Sequence, residues 1–175
     1  LERVCQLAVG RFGRRMAWIG LGRPGSGDLT AMAMAGEGQE FARAVTAHQR
    51  NASQACPPLR KALDQRQAAT ADDLCTDPAF QEPLRTLALS QGFRSMAAFP
   101  VTVDENTGGV LAVYAAEMGA FDEEDVRTLQ SLANVAAAGL QKARLYRALA
   151  QHADALEREV GDRTAALRES VALFR

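Results

Sequence analysis

The chain has 175 residues, of which 47% are hydrophobic and 23% are charged, the balance of a folded globular protein with a sizeable core. Its formal net charge of −1 at pH 7 supplies no positive field that would attract nucleic acid or an anionic membrane surface. No apolar run approaches the ~20 residues that a membrane-spanning helix needs, so we expect no membrane contact and no nucleic-acid partner.

Short helical and strand-like patterns, separated by glycine and proline, occupy the chain up to about Ala120. The chain opens at LERVC without an initiator Met or a signal-peptide pattern, so we expect a piece of a longer protein. The elements predicted in chain order are a helix over Leu1–Phe12, a hairpin of strands Arg15–Leu21 and Leu29–Ala35, helices over Gly38–His48 and Leu59–Arg66, a short strand over Ala68–Ala71, and a helix over Glu82–Gln91.

The two clearest strands, Arg94–Val103 and Gly109–Ala116, are joined by the polar turn Asp104–Gly108. Nearly every position in both strands is apolar, which in a sheet indicates that both faces are covered. Because helical patterns flank these strands along the chain, we expect an α+β (α/β layered) domain with one sheet between helices.

From Phe121 onward the sequence contains no proline and predicts one long helix. A broad apolar stripe along its first part is suited to packing on a globular body. After Tyr146 the stripe narrows to a seam with coiled-coil spacing. The seam residues are Leu149, Ala153, Leu156, Val160, Thr164, Leu167, Val171 and Phe174. Since a polar helix cannot bury such a seam alone, we expect a parallel homodimer through residues 121–174.

Several segments occur in a recognisable order: Arg15–Leu21 (RMAWIGL), Asp73–Phe80 (DLCTDPAF), Gly92–Ser95 (GFRS), and Gly109–Tyr114 (GVLAVY) followed by Phe121–Glu124 (FDEE). Their order and spacing over residues 1–146 closely resemble a GAF domain of bacterial sensor proteins. The stretch from Leu156 to Leu167 is similar to the signalling helices of histidine kinases and diguanylate cyclases. The last residues, from Glu169 to Arg175, resemble the start of a PAS domain.

The resemblance implies a GAF domain over residues 1–146 and a signalling-helix coiled coil over residues 147–175 that leads toward an output or PAS domain. It implies an antiparallel sheet of five or six strands in the order 2-1-5-4-3. The first and last helices of the domain should pack on one face, and the other face should carry a ligand pocket. Family members bind cyclic nucleotides, haem, bilins, small acids or no known ligand, so the resemblance indicates sensing without naming a ligand.

Signatures of the family's cofactors are missing from the sequence. Bilin-binding relatives attach the chromophore through a cysteine often followed by His, whereas Cys75 is followed by Thr76. His152 lies in the polar tail, and His48, near the expected pocket roof, is the one candidate axial ligand for haem. No three-ligand zinc constellation is visible. The cofactor therefore stays unknown, and we expect no metal site.

No arrangement of nucleophile, base and acid stands out, so we expect no enzymatic activity and no catalytic residues. The family's cyclic-nucleotide signature is incomplete, because Val126 stands where a Glu is needed and no Asn-Lys pair precedes it. The cysteines Cys5, Cys56 and Cys75 are odd in number and widely spaced, which favours free thiols in the reducing cytoplasm. A GAF-type reductase of free methionine sulfoxide, which uses clustered cysteines, is a remote alternative.

The candidate pocket is apolar. Strand alternation places Met16, Trp18 and Gly20 on one face, and by register with the family that face looks toward the pocket. The candidate ligand-binding residues are Trp18, Met32, Met34, Met96, Ala98, Val110, Ala112 and Tyr114, with Arg94 at the mouth of the fourth strand as the one charge that could meet an anionic group. Such a lining suits a small, flat or greasy molecule, although a plain filled core would have the same composition.

The sequence therefore predicts a regulatory small-molecule sensor module of a bacterial signal-transduction protein. Its ligand state would pass through the dimeric coiled coil to an output domain of the histidine kinase or diguanylate cyclase type. The alternative is a ligand-free dimerisation or structural relay module.

Overall fold

The computed structural model describes residues 1–48, 56–78 and 80–173, with side chains described as far as Thr164. The chain forms two compact units, Leu1–Gly139 and Leu140–Arg175. The predicted domain boundary after Tyr146 stays a prediction.

Ten helices and strands follow one another among the described residues, in the order that the sequence pattern predicts. They are α1 (Glu2–Phe12), β1 (Met16–Gly22), β2 (Leu29–Gly36), α2 (Gln39–His48), α3 (Pro57–Gln65), β3 (Ala69–Ala71), α4 (Leu84–Ser90), β4 (Ser95–Thr102), β5 (Gly108–Ala115) and α5 (Glu123–Leu173).

The start of α3 differs from the prediction. The sequence pattern places it at Leu59, whereas α3 begins at Pro57, with Pro58 also inside the helix. Proline fits the first helical positions because its missing N–H has no intrahelical partner there. The proline pair therefore begins this helix instead of separating it from the preceding chain.

The five strands form one antiparallel sheet in the order β2-β1-β5-β4-β3, which confirms the order implied by the family resemblance. β3 is short and pairs only with the Met96–Ala98 part of β4. Beyond β3, the carbonyl of Pro100 in β4 accepts a contact of 3.4 Å from the side-chain amide of Gln130 in α5.

One face of the sheet, called here the inner face, packs against α2, α3 and α4. Pairing across the strands aligns Met16 and Met96 with Tyr114, and Trp18 and Ala98 with Ala112, so that all of these side chains share the face. Together with Phe41 of α2, Leu59 of α3 and Leu84 of α4 they form a single buried cluster.

The opposite face is called the outer face. Its residues Ala17, Ile19, Ala97, Phe99, Leu111 and Val113 are fully buried but lie outside the inner cluster. Their cover comes from α1 and the first turns of α5, whose buried residues Cys5, Ala8, Leu129 and Ala133 also lie outside that cluster. The layering therefore follows the expectation of helices on both faces.

The second unit consists of the later part of α5, which runs as one helix of 51 residues from Glu123 to Leu173. Every side chain from Gln141 to Thr164 is exposed, including the seam residues Leu149, Leu156 and Val160. The seam positions Leu167 and Val171 lie where side chains are not described, and Phe174 lies outside the described residues. A coiled-coil pairing of this helix stays a prediction.

Within the described part of the chain, none of the helices combines the length and the hydrophobicity that crossing a bilayer requires.

Candidate functional site

The inner face brings most of the predicted pocket residues together. Trp18 on β1, Met96 and Ala98 on β4, and Val110, Ala112 and Tyr114 on β5 all belong to its buried cluster. Met34 of β2 packs against the edge of the same cluster. The period-two alternation of the strands is therefore sufficient to place these seven side chains, and their role as ligand contacts stays a prediction.

Met32 is placed elsewhere. It is 54% exposed and does not belong to the inner cluster. The reason is an irregularity in the β1–β2 pairing, where Ile19 faces Ala33 but the next residue, Gly20, faces Ala31. Met32 is the extra residue of this bulge, so the alternation that would align it with Met34 is interrupted.

Three aromatic rings fill the space above the Tyr114 end of the inner face. The ring of Phe41 meets Tyr114 edge-on with centroids 5.1 Å apart, and Phe93 lies 5.3 Å from Phe41 and 5.2 Å from Tyr114. The two contacts of Phe41 are edge-to-face, a geometry that stabilises a core beyond the area that it buries. This part of the face is a packed core and not an open cavity.

The indole of Trp18 lies across Gly20 on the same strand. A Cβ at Gly20 would stand 2.6 Å from the indole Cζ3 and 3.0 Å from the side chain of Leu29. Because Gly20 has no side chain, the Trp18 indole has room to lie over position 20 on the inner face.

Two polar atoms on the inner face are buried without a hydrogen-bond partner among the described residues, the indole Nε1 of Trp18 and the hydroxyl of Tyr114. Both side chains are 0% exposed. Burial raises the pKa of the Tyr114 phenol well above 10.0, and the nearby Trp18 indole acts in the opposite direction without reaching ordinary hydrogen-bond geometry. A buried polar group without a hydrogen-bond partner lowers the free energy of unfolding by about 1–3 kcal/mol. Two such groups are therefore unfavourable in a core whose role is structural alone.

Cys56, directly before α3, brings a third polar group to the same place. Its thiol donates to the sulfur of Met96 at 3.6 Å, and its charge would raise the pKa of Tyr114. Burial raises the pKa of the Cys56 thiol to about 12, so it is protonated and unreactive at neutral pH.

Two grooves open on the surface beside the inner cluster. The larger, of about 720 Å³, lies along α3 and β3 and is lined by Pro57, Pro58, Lys61, Thr70 and Asp77 among others. It begins one residue beyond Cys56. The smaller, of about 480 Å³, lies between β2 and α2, and Met34 and Arg43 contribute to its lining.

Arg94 lies directly before β4, one residue outside the strand that was predicted to begin with it, and it is already engaged. Its Nη2 is 3.6 Å from Oδ1 of Asp73 and 3.2 Å from the sulfur of Met118, and Arg94 is not part of the inner cluster. Hydrogen bonds from Thr76 and the Cys75 N–H hold the pKa of Asp73 below its ordinary value, and Arg94 adds to this effect. A contact of Arg94 with an anionic ligand stays a prediction.

The connector, defined as residues 116–122 between β5 and α5, is tied to the rest of its unit at four consecutive positions. The four contacts are Ser95 Oγ to Glu117 O at 2.7 Å, Arg94 Nη2 to Met118 Sδ at 3.2 Å, Gly119 N to Asp72 O at 2.8 Å, and Arg14 Nη2 to Ala120 O at 2.7 Å. The connector therefore links the loop after β3, which borders the larger groove at Asp77, to the start of α5.

Sequence reasoning missed the side chains that cover the inner face, chiefly Phe41, Phe93 and Cys56. Phe93 stands inside the GFRS segment and Phe41 on the apolar side of α2, so both carried a signal. The approach of Cys56 to Met96 joins positions 40 apart and has no local signal in the sequence.

The histidine and cysteine positions form no metal site among the residues that the structure describes. His48 donates from Nδ1 to the carbonyl of Ala44 in its own helix, at 2.7 Å. Cys5, Cys56 and Cys75 are free thiols.

The sequence profile of the GAF domain matches residues 1–141. No curated protein sequence matches the chain.

Three solved structures illustrate the similarity of fold. A domain of a protein described as a two-component sensor histidine kinase from Sinorhizobium meliloti 1021 is 18% identical, with a TM-score of 0.67 over 86% of this chain and 94% of that one. The GAF domain of a phosphoenolpyruvate-protein phosphotransferase from Coxiella burnetii is 16% identical, with a TM-score of 0.62 over 85% and 84%. Free methionine-R-sulfoxide reductase from Neisseria meningitidis, in complex with its substrate, is 20% identical, with a TM-score of 0.61 over 83% and 78%. At these identities the likeness concerns the fold alone.

Proposed function

Because this chain belongs to the GAF domain family, we propose that it is a regulatory small-molecule sensor module of a bacterial signal-transduction protein. In this proposal its ligand state passes along α5 to an output domain of the histidine kinase or diguanylate cyclase type, or to a PAS domain before it. The observation that carries the proposal is α5 itself, which begins in the globular unit and continues as an exposed helix with an apolar seam.

The connector supplies a physical route for the signal. A ligand that moved the loop after β3 would act on Gly119 through its bond to Asp72, and on Met118 through Arg94. Both residues lie within five positions of the start of α5. A few kcal/mol of differential binding is enough to shift a two-state helix arrangement.

We further propose that the chain is a parallel homodimer through α5. Leu149, Leu156 and Val160 are each more than half exposed, and their spacing is that of a coiled-coil seam. A second copy of the same helix matches that seam by symmetry. Parallel pairing would bring the two appended output domains side by side, where one can regulate the other.

A ligand-free dimerisation or structural relay module is the second candidate. The close packing of Phe41, Phe93 and Tyr114 on the inner face favours it, because a core that is already filled needs no ligand.

We propose no enzymatic turnover, although the fold is shared with a methionine sulfoxide reductase. Cys5 packs on the outer face and Cys56 on the inner face, so the sheet separates these two thiols. Burial raises the pKa of both, to about 11 and about 12. Free thiols of this kind agree with the reducing cytoplasm as the compartment. Consumption of free methionine sulfoxide with dithiothreitol, scaling with protein concentration, would contradict this proposal.

Native mass spectrometry of the purified full chain tests the sensor role. We expect a retained small molecule, or a metabolite-library compound that raises the melting temperature in a saturable way. If neither is found, the ligand-free relay is the better description.

A further inference from the structure

The inner cluster contains two polar groups, close to each other, that reach no hydrogen bond of ordinary geometry among the described residues. The indole Nε1 of Trp18 and the hydroxyl of Tyr114 come from neighbouring strands, and both are buried without a hydrogen-bond partner in the described part of the chain. An indole N–H can only donate, and a protonated phenol can donate as well. The pair is therefore suited to a ligand atom that accepts hydrogen bonds.

The surroundings limit the charge of such a ligand. Among the described residues Ser95 is the only polar or charged residue that is buried, and the carboxylate that acts on Cys56 belongs to Asp77, which is only half-buried. A charged group placed in the inner cluster would lose its hydration without gaining a counterion. The remaining contacts, from Phe41 and Met96 for example, are apolar and adaptable in shape.

The larger groove beside α3 lies next to one end of the inner cluster. The larger groove begins at Pro57 and Pro58, next to Cys56, whose thiol meets Met96 in the inner cluster. Because the cluster is closed at this point, a ligand enters only by displacing side chains there, which restricts it to a small molecule.

We propose, on the basis of the proposed sensor function, that Trp18 and Tyr114 form the polar end of a site for a small, uncharged, mainly apolar molecule with a hydrogen-bond acceptor oxygen. The acceptor lies between Nε1 of Trp18 and the hydroxyl of Tyr114, and the apolar part replaces side-chain contacts toward Cys56 and Leu59. Each donor then gains an acceptor in ordinary hydrogen-bond geometry.

The chain contains a single tryptophan, so the proposal can be tested at one atom. The full chain, labelled with ¹⁵N, shows one indole N–H signal, which moves downfield when the group donates a hydrogen bond. Three probes of similar size separate the possibilities: acetophenone has a neutral acceptor, ethylbenzene has none, and benzoate carries a charge. We expect acetophenone to move this signal saturably and to bind about tenfold more tightly than the other two.

The variant Tyr114→Phe isolates the hydroxyl. We expect it to weaken acetophenone about five- to tenfold, the size of one neutral hydrogen bond, and to leave ethylbenzene unchanged. Tyr146→Phe, the same change at an exposed position of α5 outside the cluster, is the matched control and should change neither. If Tyr114→Phe does not fold, the indole signal of the unaltered chain still decides the matter.

Absence of saturable acetophenone binding, equal binding of ethylbenzene, or tightest binding of benzoate each overturns the proposal. These outcomes remain distinct from failure of the sensor role. A charged molecule retained in native mass spectrometry would support the sensor function and would contradict only the proposal that the ligand is uncharged.

Discussion

Arg14 and Asp125 lie 111 positions apart in the chain and form an ion pair, with Nη2 and Oδ2 2.5 Å apart. Their side chains are only 11% and 22% exposed. The same guanidinium donates to the carbonyl of Ala120 and lies over the ring of Phe121, 4.8 Å from its centroid. One side chain before β1 thus holds the connector and the first turn of α5 together.

We expect removal of either charge to loosen the start of α5. Asp125→Asn should lower the free energy of unfolding by about 1–2 kcal/mol, and Arg14→Met by about 2–3 kcal/mol, because Arg14 also loses Ala120 and Phe121. Urea unfolding of both variants and of the double variant gives the coupling energy, expected at about 1 kcal/mol or more.

The exposed pair Arg127 and Glu123 is the matched control on the same helix. Its closest atoms are 3.9 Å apart and its side chains are 73% and 95% exposed, so Glu123→Gln should cost less than about 0.5 kcal/mol. A coupling energy for Arg14 and Asp125 no larger than that of this surface pair would contradict the tether.

Two glycine-to-alanine substitutions should change the free energy of unfolding in opposite directions. Gly20→Ala places a methyl group 2.6 Å from the Trp18 indole, and we expect a loss of about 1–3 kcal/mol with a changed tryptophan emission. Gly139→Ala, on α5 with no atom within 4 Å, should gain up to about 1 kcal/mol through helix propensity. Thermal unfolding and fluorescence measure both. Equal effects of the two substitutions would show that the indole does not depend on the space at position 20.

Because two of its thiols are buried, we expect the protein to lose stability at alkaline pH. Burial raises the pKa of Cys5 to about 11 and that of Cys56 to about 12, against 9.0 for an ordinary thiol. Above pH 9 the unfolded chain therefore releases protons that the folded chain retains, and the free energy of unfolding falls. The decline approaches about 1.4 kcal/mol per pH unit for each thiol and ends near the folded pKa.

Urea unfolding between pH 8 and pH 10.5 measures this slope. Tyr114 adds to it, since burial raises its pKa as well. Cys56→Ala should make the slope shallower, whatever it does to stability at pH 8. An unchanged slope in that variant would mean that the Cys56 thiol ionises in the folded protein as easily as in the unfolded one.

Truncation after Tyr146 should separate the body from its proposed means of association. We expect the full chain to be a dimer by light scattering and residues 1–146 to be a monomer, because the seam is removed. Within the full chain, Leu156→Glu should dissociate the dimer, whereas Gln151→Glu, away from the seam, should not. If the truncated body is as dimeric as the full chain, α5 beyond Tyr146 is not what holds it together.

Sequence periodicity was sufficient to predict which strand residues share the inner face, because side chains alternate between the two faces along an antiparallel strand. Trp18, Ala112 and Ala98 are far apart in the chain yet stand in one row across three strands. The same reasoning failed at Met32, where one extra residue in β2 breaks the alternation. The neighbouring sequence, a run of Ala and Met, contains no glycine or proline that would mark a bulge.

The hydrogen-bond and ion-pair partners of the polar side chains in the candidate site could not be predicted from the sequence. A period-two pattern states which face Tyr114 occupies, but not whether its hydroxyl finds a partner there. The approach of Cys56 to Met96 depends on how α3 settles on the sheet, which long-range packing decides. Arg94 was placed to within one residue of the start of β4, while its pairing with Asp73 depends on the fold of the loop after β3.

The shortness of β3 leaves part of β4 at the edge of the sheet. β3 pairs with only three residues of β4, and within the described part of the chain no strand neighbours the following part of β4 on that side. An open strand edge invites another chain to add to the sheet. Here Pro100 has no N–H to offer, and its carbonyl is occupied by Gln130. This part of the edge therefore offers a poor template for strand addition by a second copy.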